Sequence, residues 1–447
     1  MEKYPAVIIL AGGQSERFWP LGDKNLFSFL GQTLLEFQLK TLRQIGFRDF
    51  IVVANKNIDW WLKEHFYDVP KLEYVLQNNN LKGMGGAVLS AKQKILAKPG
   101  RPLYILNCDD VYHPDLHRKI LKHYQREKAD GYLAGYRVSS YQPLGYFIEN
   151  EGVIQGIIEK PPSAKMPSHW ANLVAHLFVN PVDFIHELEV ENNKSIKTDD
   201  LYERALGKLC QKKVFRLVSY RDEWKILKYP WQVLDVADYL LSQISFKVSK
   251  DVRIAENASI EGKVIIEKGV KILGGTKIVG PSFIGANSII GNNCLIRESM
   301  IGRNCVVGFS TEITRSYLGD DCWLHSNYIG DSVLEKDVSL GSGAVTANLR
   351  LDEANIFAQV KEKKVDTQRN KLGVIIGKGA RLGVNSSIMP GVKIGKNSIV
   401  GPGVVLLKDI PENQMCFAKQ VLEMKSHPYT PHAEIRAQFK RALKKGN

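Results

Sequence analysis

No run of apolar residues in this 447-residue chain is long enough to cross a bilayer as a helix. The N-terminal stretch MEKYPAVIILAGG lacks the basic region and cleavable apolar core of a secretory signal. Its β-branched run Ala6–Leu10 is short and leads straight into glycines, which suits a buried strand. The expectation is a cytoplasmic protein with no membrane partner. The six cysteines contain no CxxC pair, which argues against a zinc site or a dithiol redox centre. Recognisable nucleic-acid motifs and aromatic-interleaved basic stripes are missing too, so nucleic acid is not an expected partner.

What the chain does have is size, positive charge and a repeat. Its length exceeds one ordinary core, so two or three domains are expected. The 44% hydrophobic and 24% charged fractions place it among globular proteins. A net charge of +14 predicts anionic partners. Phosphorylated small molecules fit best, because basic residues recur inside the motifs described below.

From Ile254 an aliphatic residue returns every six positions, through Ile260, Ile266, Ile272, Ile278, Ile284, Ile290 and Ile296. The register slips slightly through Ile301, Val307, Ile313, Leu318, Leu324 and Ile329. After an interruption it resumes at Ile376, Leu382, Ile388, Ile394, Val400 and Leu406. Many of these are followed by Gly, with a small residue four places on. A period this short predicts a solenoid whose rungs bury their aliphatic side chains against one another, three hexads closing one triangular coil. Cys294, Cys305 and Cys322 occupy the small-residue slot, so packing accounts for them. The hexad resembles that of the left-handed parallel β-helix acyltransferases, which implies a homotrimer with acyl-CoA sites between subunits.

The N-terminal half alternates candidate strands (Ala6–Leu10, Phe50–Ala54, Leu103–Asn107, Tyr132–Tyr136) with helical stretches such as Leu34–Gln44 and Gly86–Leu96. That pattern predicts an α/β, Rossmann-like domain with a mainly parallel sheet and a ligand site at the strand C-termini. The expected organisation is therefore residues 1–245, a β-helix over 251–410, and a solvated basic tail over 411–447. Immediately after the first strand comes L-A-G-G-Q-S-E-R-F-W-P-L-G-D-K. Gly12 and Gly13 let the backbone approach a phosphate and turn its N–H groups inward. Arg17 can clamp phosphate oxygens, and Lys24 can neutralise charge at the α-phosphate and sugar phosphate.

These residues resemble the NDP-sugar pyrophosphorylase family, whose signature is G-x-G-T-R-x-x-P-L followed by P-K-P. The resemblance implies nucleotide contacts from Leu10, Ala11, Gly12, Gly13, Gln77, Gly83 and Met84. Leu106-Asn107-Cys108-Asp109 matches N-G-D, implying Mg²⁺ on Asp109. Gly145, Glu159, Lys160 and Asn172 match the residues that contact the sugar and its phosphate, and Thr198-Asp199 match the family's T-D. Three positions depart from the pattern: Ser15-Glu16 replace Gly-Thr, Asp23 replaces the Pro before the lysine, and Ile226 replaces the second metal-binding acid. Asp110, Asp222 or Glu223 are open as its substitute. Arg17, Lys24 and Asp109 are the expected catalytic residues of nucleotidyl transfer, a reaction that needs positioning and charge neutralisation rather than a covalent nucleophile.

Within the repeat, His325-Ser326-Asn327-Tyr328-Ile329-Gly330-Asp331 resembles the H-x-x-Y-x-G-D of glucosamine-1-phosphate acetyltransferases. There the His is the general base and the Tyr binds substrate. Asn348 matches a substrate asparagine of that family, while Ser339 stands where the other belongs. The resemblance implies a second site of His325, Tyr328 and Asn348, with acetyl-CoA as co-substrate and an amino-sugar phosphate as acceptor. Lys361, Lys363, Lys364, Arg369 and Lys371 in the loop 349–371 are either sugar-phosphate ligands or a solvated basic loop. As a whole the chain most resembles the archaeal-type bifunctional sugar-1-phosphate nucleotidyltransferase/acetyltransferases. UTP with GlcNAc-1-phosphate is the first substrate pair implied. Glucose-1-phosphate with dTTP or UTP, GTP with mannose-1-phosphate, and a non-catalytic regulatory subunit stay open.

Overall fold

Residues 4–65, 71–194, 199–428 and 432–444 are described by the computed structural model. Every residue of the strand Ala6–Ala11 is buried, as its unbroken apolar run requires of a strand covered on both faces. It is central, paired in parallel with Phe50–Ala54 on one side and Leu103–Asn107 on the other. Leu72–Leu76 extends this parallel half. Beyond it the sheet is mixed, not mainly parallel: Trp170–Phe178 enters antiparallel and pairs with Gly131–Arg137. Gly145–Asn150 and Val153–Glu159 form a hairpin at that end, and a tight turn imposes an antiparallel pair where a helical crossover would allow a parallel one. The helix Leu34–Ile45 begins at a capping box, with Thr33 Oγ1 accepting from the Glu36 amide at 3.2 Å and Glu36 Oε2 from the Thr33 amide at 2.6 Å. The expected helix over 86–96 is two shorter ones, Gly83–Ser90 and Lys92–Leu96.

The second domain is a left-handed β-helix of three parallel sheets, with eight, nine and eight strands. The hexad aliphatics from Ile266 to Leu406 fill its interior. Ile254, on the first coil, is exposed because no rung lies beneath it. The apparent interruption hides one more coil, since Leu334 and Leu340 join the same core and Ile376 stacks directly on Leu334. Only the loop 349–371 is truly inserted. Strand pairing runs from Lys247–Val248 to Met415–Cys416, slightly wider than the 251–410 read from the hexads.

The hexad's other positions have physical reasons. At the turns Asn293, Asn304 and Asn397 take left-handed backbone (φ 57°, 55° and 55°), a conformation Asn tolerates better than most residues. The small residue that follows points inward: Cys294, Cys305 and Cys322 are buried, and their thiols donate to carbonyls of the next coil at 3.0–3.2 Å. At Gly302 an added methyl would lie 2.5 Å from the backbone of Gly319 on the adjacent coil, so only glycine lets the rungs stack that closely.

One outer face of the β-helix is buried against the first domain over most of its length. Phe283, Met300, Tyr317, Val333 and Ile375 form a ladder that shares a core with Phe27, Phe29 and the helix Gln232–Ser242 of the first domain. The Tyr317 hydroxyl donates to the Ser28 carbonyl at 2.6 Å, and Arg303 Nη2 to that of Gly31 at 3.1 Å. The Gly22 amide donates to Glu335 Oε1 at 3.0 Å. The turn that carries Lys24 therefore rests on the β-helix. The tail carries the exposed helix Ala433–Lys444. Among the described residues no helix is long and apolar enough to cross a membrane.

Candidate active site

At the C-terminal ends of the parallel strands lies a cleft of about 580 Å³. Leu10, Ala11, Gly12, Gly13 and Arg17 form one wall, Gln77, Gly83 and Met84 the opposite one, and Lys24 and Asp109 also line it. Sequence-distant segments converge there because three adjacent parallel strands all end at this edge. A methyl on Gly12 would collide with the Gln77 side chain, whereas one on Gly13 would meet nothing within 4 Å. The first glycine thus lets the two walls meet, whereas at the second a side chain would point into open space. Gln77 Nε2 donates to the carbonyls of Leu81 (2.9 Å) and Gly83 (3.3 Å), shaping the second wall.

Lys24 is held by residues the motif did not single out. Asn55, at the end of the second strand, donates from Nδ2 to the Gly13 carbonyl at 2.9 Å and to Asp23 Oδ2 at 2.5 Å. Asp23 Oδ1 accepts from the Asn25 amide at 2.9 Å, capping the short turn Lys24–Leu26, and Asn25 Nδ2 donates to the Ala11 carbonyl at 3.2 Å. Asp23 in place of proline is therefore a structural strut. Ser15 has left-handed backbone (φ 54°), as the glycine usual there would, and its hydroxyl accepts from the Lys24 amide at 3.3 Å.

The Lys24 ammonium pairs with the Asp109 carboxylate. Burial lowers its pKa, the Asp109 charge opposes this, and the net result lies above the ordinary lysine value. Asp110 faces away from the cleft, buried, accepting from Trp224 Nε1 at 3.0 Å and Asn107 Nδ2 at 3.1 Å. Burial, reinforced by Asp109, pushes it up to about 7. Asp222 and Glu223 are exposed, and none of the three lines the cleft, so none of these three stands in there for the acid missing at Ile226. Two residues further on, Lys228 does line it. Burial, then Arg17, Lys160 and Lys24, pull its pKa below the ordinary value, the signature of a site built to receive negative charge.

Among the described residues no group of three or more His, Cys, Asp or Glu could hold a metal unaided. Mg²⁺, however, is commonly bound by one or two carboxylates together with substrate phosphates. Asp109, partly buried in the cleft, fits a metal that arrives with the nucleotide.

The expected sugar-phosphate residues form a second group, beside the cleft rather than lining it. Gly145 and Glu159 face each other across the hairpin, and a methyl on Gly145 would lie 2.8 Å from the Glu159 carboxylate and 3.4 Å from Asn172 Cβ. Lys160 pairs with Glu159 at 2.5 Å. Asn172 Oδ1 lies 2.8 Å from His176 Nε2, a buried imidazole whose pKa burial lowers to about 3, so it is neutral. Asp199 lines the cleft, its carboxylate where a Gly83 side chain would go, while Thr198 lies outside the described residues.

Sequence reading missed Glu203, which no short motif marks. Its carboxyl is buried near Glu159 and Lys160, and Oε2 has no hydrogen-bond partner. Burial, then the Glu159 charge, pushes its pKa up to about 8. Since the unfolded carboxyl titrates near 4.5, folding takes up a proton between these values, and stability falls as pH rises through that window. Glu203→Gln is therefore expected to add roughly 1–3 kcal/mol at pH 8.5 and little at pH 4. Calorimetric unfolding at the two pH values checks this, and an equal change at both would refute it.

On the β-helix, Tyr328 and Asn348 meet, the Asn348 Nδ2 to Tyr328 hydroxyl distance being 3.4 Å. Asn348 Nδ2 also donates to Asp331 Oδ2 at 2.5 Å, and Arg315 grips both Asp331 oxygens at 2.8 Å. The His325 side chain is exposed and makes no hydrogen bond with either residue. Of the basic loop residues, Lys361 pairs with Glu16 at the nucleotide cleft and Arg369 donates to Asp235 at 2.7 Å.

Cleft and coil together define the class, a nucleotidyltransferase joined to a hexapeptide-repeat transferase. Residues 6–225 match the nucleotidyl transferase family, and residues 373–408 match the bacterial transferase hexapeptide (six repeats). A bifunctional sugar-1-phosphate nucleotidylyltransferase/acetyltransferase of Sulfurisphaera tokodaii is 30% identical over 86% of this chain and 92% of its own. Bifunctional protein GlmU of Methanococcus maripaludis strain C7 is 31% identical over 93% and 98% respectively. The chain belongs to this family of bifunctional sugar-1-phosphate nucleotidyltransferase/acetyltransferases.

Proposed function

We propose that the chain forms an NDP-sugar and pyrophosphate from UTP and GlcNAc-1-phosphate, and that it also acetylates an amino-sugar phosphate with acetyl-CoA. The observation that carries the first activity is the convergence of Gly12, Gly13, Arg17, Lys24 and Asp109 on one cleft. In that reaction a sugar-phosphate oxygen attacks the α-phosphorus in line, the bond to the β-phosphate breaks, and pyrophosphate leaves with the electron pair. Amides of the glycine loop face the phosphates, Arg17 clamps their outer oxygens, and Lys24 neutralises charge at the α-phosphate and sugar phosphate. Gly145, Glu159, Lys160 and Asn172 hold the sugar and its phosphate. Asp109 would hold Mg²⁺, which when bound supplies Lewis-acid stabilisation of phosphate charge.

At the second site His325 takes the proton of the attacking amine, while Tyr328 and Asn348 hold the acceptor. The amine nitrogen bonds to the thioester carbon, the carbon–sulfur bond breaks, and the CoA thiolate leaves. Trp323, on the coil that bears His325, and Phe309, on the coil before it, are both more than half exposed. Apolar surface of that kind supports a homotrimer whose subunits meet there. Six free cysteines fit a reducing, cytoplasmic location.

A regulatory, non-catalytic role is the second reading, favoured by Ile226 and by the positions of Asp110, Asp222 and Glu223 outside the cleft. Pyrophosphate release with Mg²⁺, across four NTPs and dTTP against glucose-, GlcNAc- and mannose-1-phosphate, separates the two. Release with UTP and GlcNAc-1-phosphate is expected. Release confined to another pair would replace the substrates, and silence with NTP binding intact would establish the regulatory reading.

A further inference from the structure

The loop inserted into the β-helix ends in a hairpin, Phe357–Val360 paired with Lys363–Asp366, that reaches the first domain. Its tip residue Lys361 lines the nucleotide cleft, the one residue among those described that the β-helix contributes to it. The ammonium pairs with Glu16, next to Arg17 and beyond the glycine loop. Lys82 and Arg17 also act on the Glu16 charge. One cation touches this carboxylate and two more lining the same cleft act on it from farther off, so a phosphate there would find the same partners.

Two further observations concern the tip. Lys361 has left-handed backbone (φ 53°) in a two-residue hairpin turn, a position that favours Gly or Asn, so a lysine there is held against local preference. The hairpin is also secured without it. Ile356 and Ala358 are buried in the core between the domains, Lys393 donates to the Gln359 carbonyl, and Arg369 binds Asp235. The Lys361–Glu16 pair, with both side chains about 60% exposed, is not what holds the domains together.

We propose that Lys361 is a phosphate-binding residue of the nucleotidyl-transfer site, facing the pyrophosphate end of the nucleotide. Glu16 is the placeholder that it exchanges for phosphate. The proposal rests on the nucleotide-cleft reading above. Lys24 and Asp109 lie at the end where the α-phosphate reacts; Arg17, Lys82 and Lys361 gather at the other. As the bond from the α-phosphorus to its leaving oxygen breaks, that end receives the negative charge. The β-helix then supplies a working part of the first reaction, not only a platform for it.

The test is binding of inorganic pyrophosphate to the full chain, by titration calorimetry with Mg²⁺, for wild type and four variants. Lys361→Ala is expected to weaken binding about five- to tenfold, Lys361→Arg to restore most of it, and Glu16→Gln to tighten it about two- to fivefold. Arg17→Ala is the control for the cleft and should weaken binding too. If Arg17→Ala weakens binding while the Lys361 and Glu16 variants all stay within twofold of wild type, the proposal fails and the cleft reading stands. A lower melting temperature for Lys361→Ala with unchanged pyrophosphate affinity would mark a purely structural tie and also overturn it. Pyrophosphate binding that is undetectable in the wild type, or indifferent to Arg17, overturns the cleft reading and this proposal together.

Discussion

Replacing Lys24 with alanine is expected to lower kcat/KM for nucleotidyl transfer by about 10²–10³-fold, the range for losing one preorganised charge-stabilising group. The argument is geometric. Asp23, Asn25, Asn55 and Ser15 fix the backbone of its turn through bonds that none of the Lys24 side-chain atoms make. Truncation therefore removes an ammonium from the cleft and leaves the turn standing. It also frees Asp109, but the cleft is open and water can solvate that carboxylate, so the melting temperature should move little. Steady-state pyrophosphate release gives the rate, and thermal unfolding shows that the fold is intact. An activity within threefold of wild type would remove Lys24 from the chemistry. Acetyl transfer by this variant should match wild type, because Lys24 lies in the first domain's cleft and His325 on the β-helix.

His325→Ala is the converse. Acetyl transfer from acetyl-CoA to glucosamine-1-phosphate should fall by about 10²–10⁴-fold, the usual contribution of a placed general base, with pyrophosphate release unchanged. The side chain is exposed and, among the described residues, hydrogen-bonds to no other side chain, while its backbone keeps the coil in register through Asn327 and Thr311. Alanine therefore leaves the rung intact, with stability expected to stay within about 0.5 kcal/mol. Free-thiol release reads the reaction directly. Acetylation surviving in the variant would assign the base elsewhere. No acetylation even in the wild type would make the coil a scaffold, and Ser339 would then be the residue to restore to asparagine first.

Much of this site was legible in the chain because its determinants are local. The strand ends that carry Gly12–Gly13 and Asp109 are written as apolar runs stopping at small or acidic residues, and a parallel half-sheet brings such ends to one edge. Tyr328 and Asn348, twenty positions apart, meet because one coil of the helix separates them. Ile226 could be seen as a departure, but not its consequence. Asp110 was an open substitute until the fold turned it inward beneath Trp224, and Lys228 was invisible until the same segment carried it into the cleft. Glu203 and Asn55 belong to no pattern. They are positioned by a helix packed on the sheet and by the end of a neighbouring strand.

By itself the sequence determined the α/β domain, the β-helix and the residues of the glycine loop, since periodicity and turn chemistry act over a few residues and leave their mark in order along the chain. Only the tertiary structure decided which face of the β-helix is dry, which cations share a cleft, and where the inserted hairpin lands. Those outcomes depend on packing between residues such as Phe27 and Tyr317, or Glu16 and Lys361, that lie about three hundred positions apart. Distance along a chain carries no record of such contacts, because burial and charge pairing respond only to distance in space.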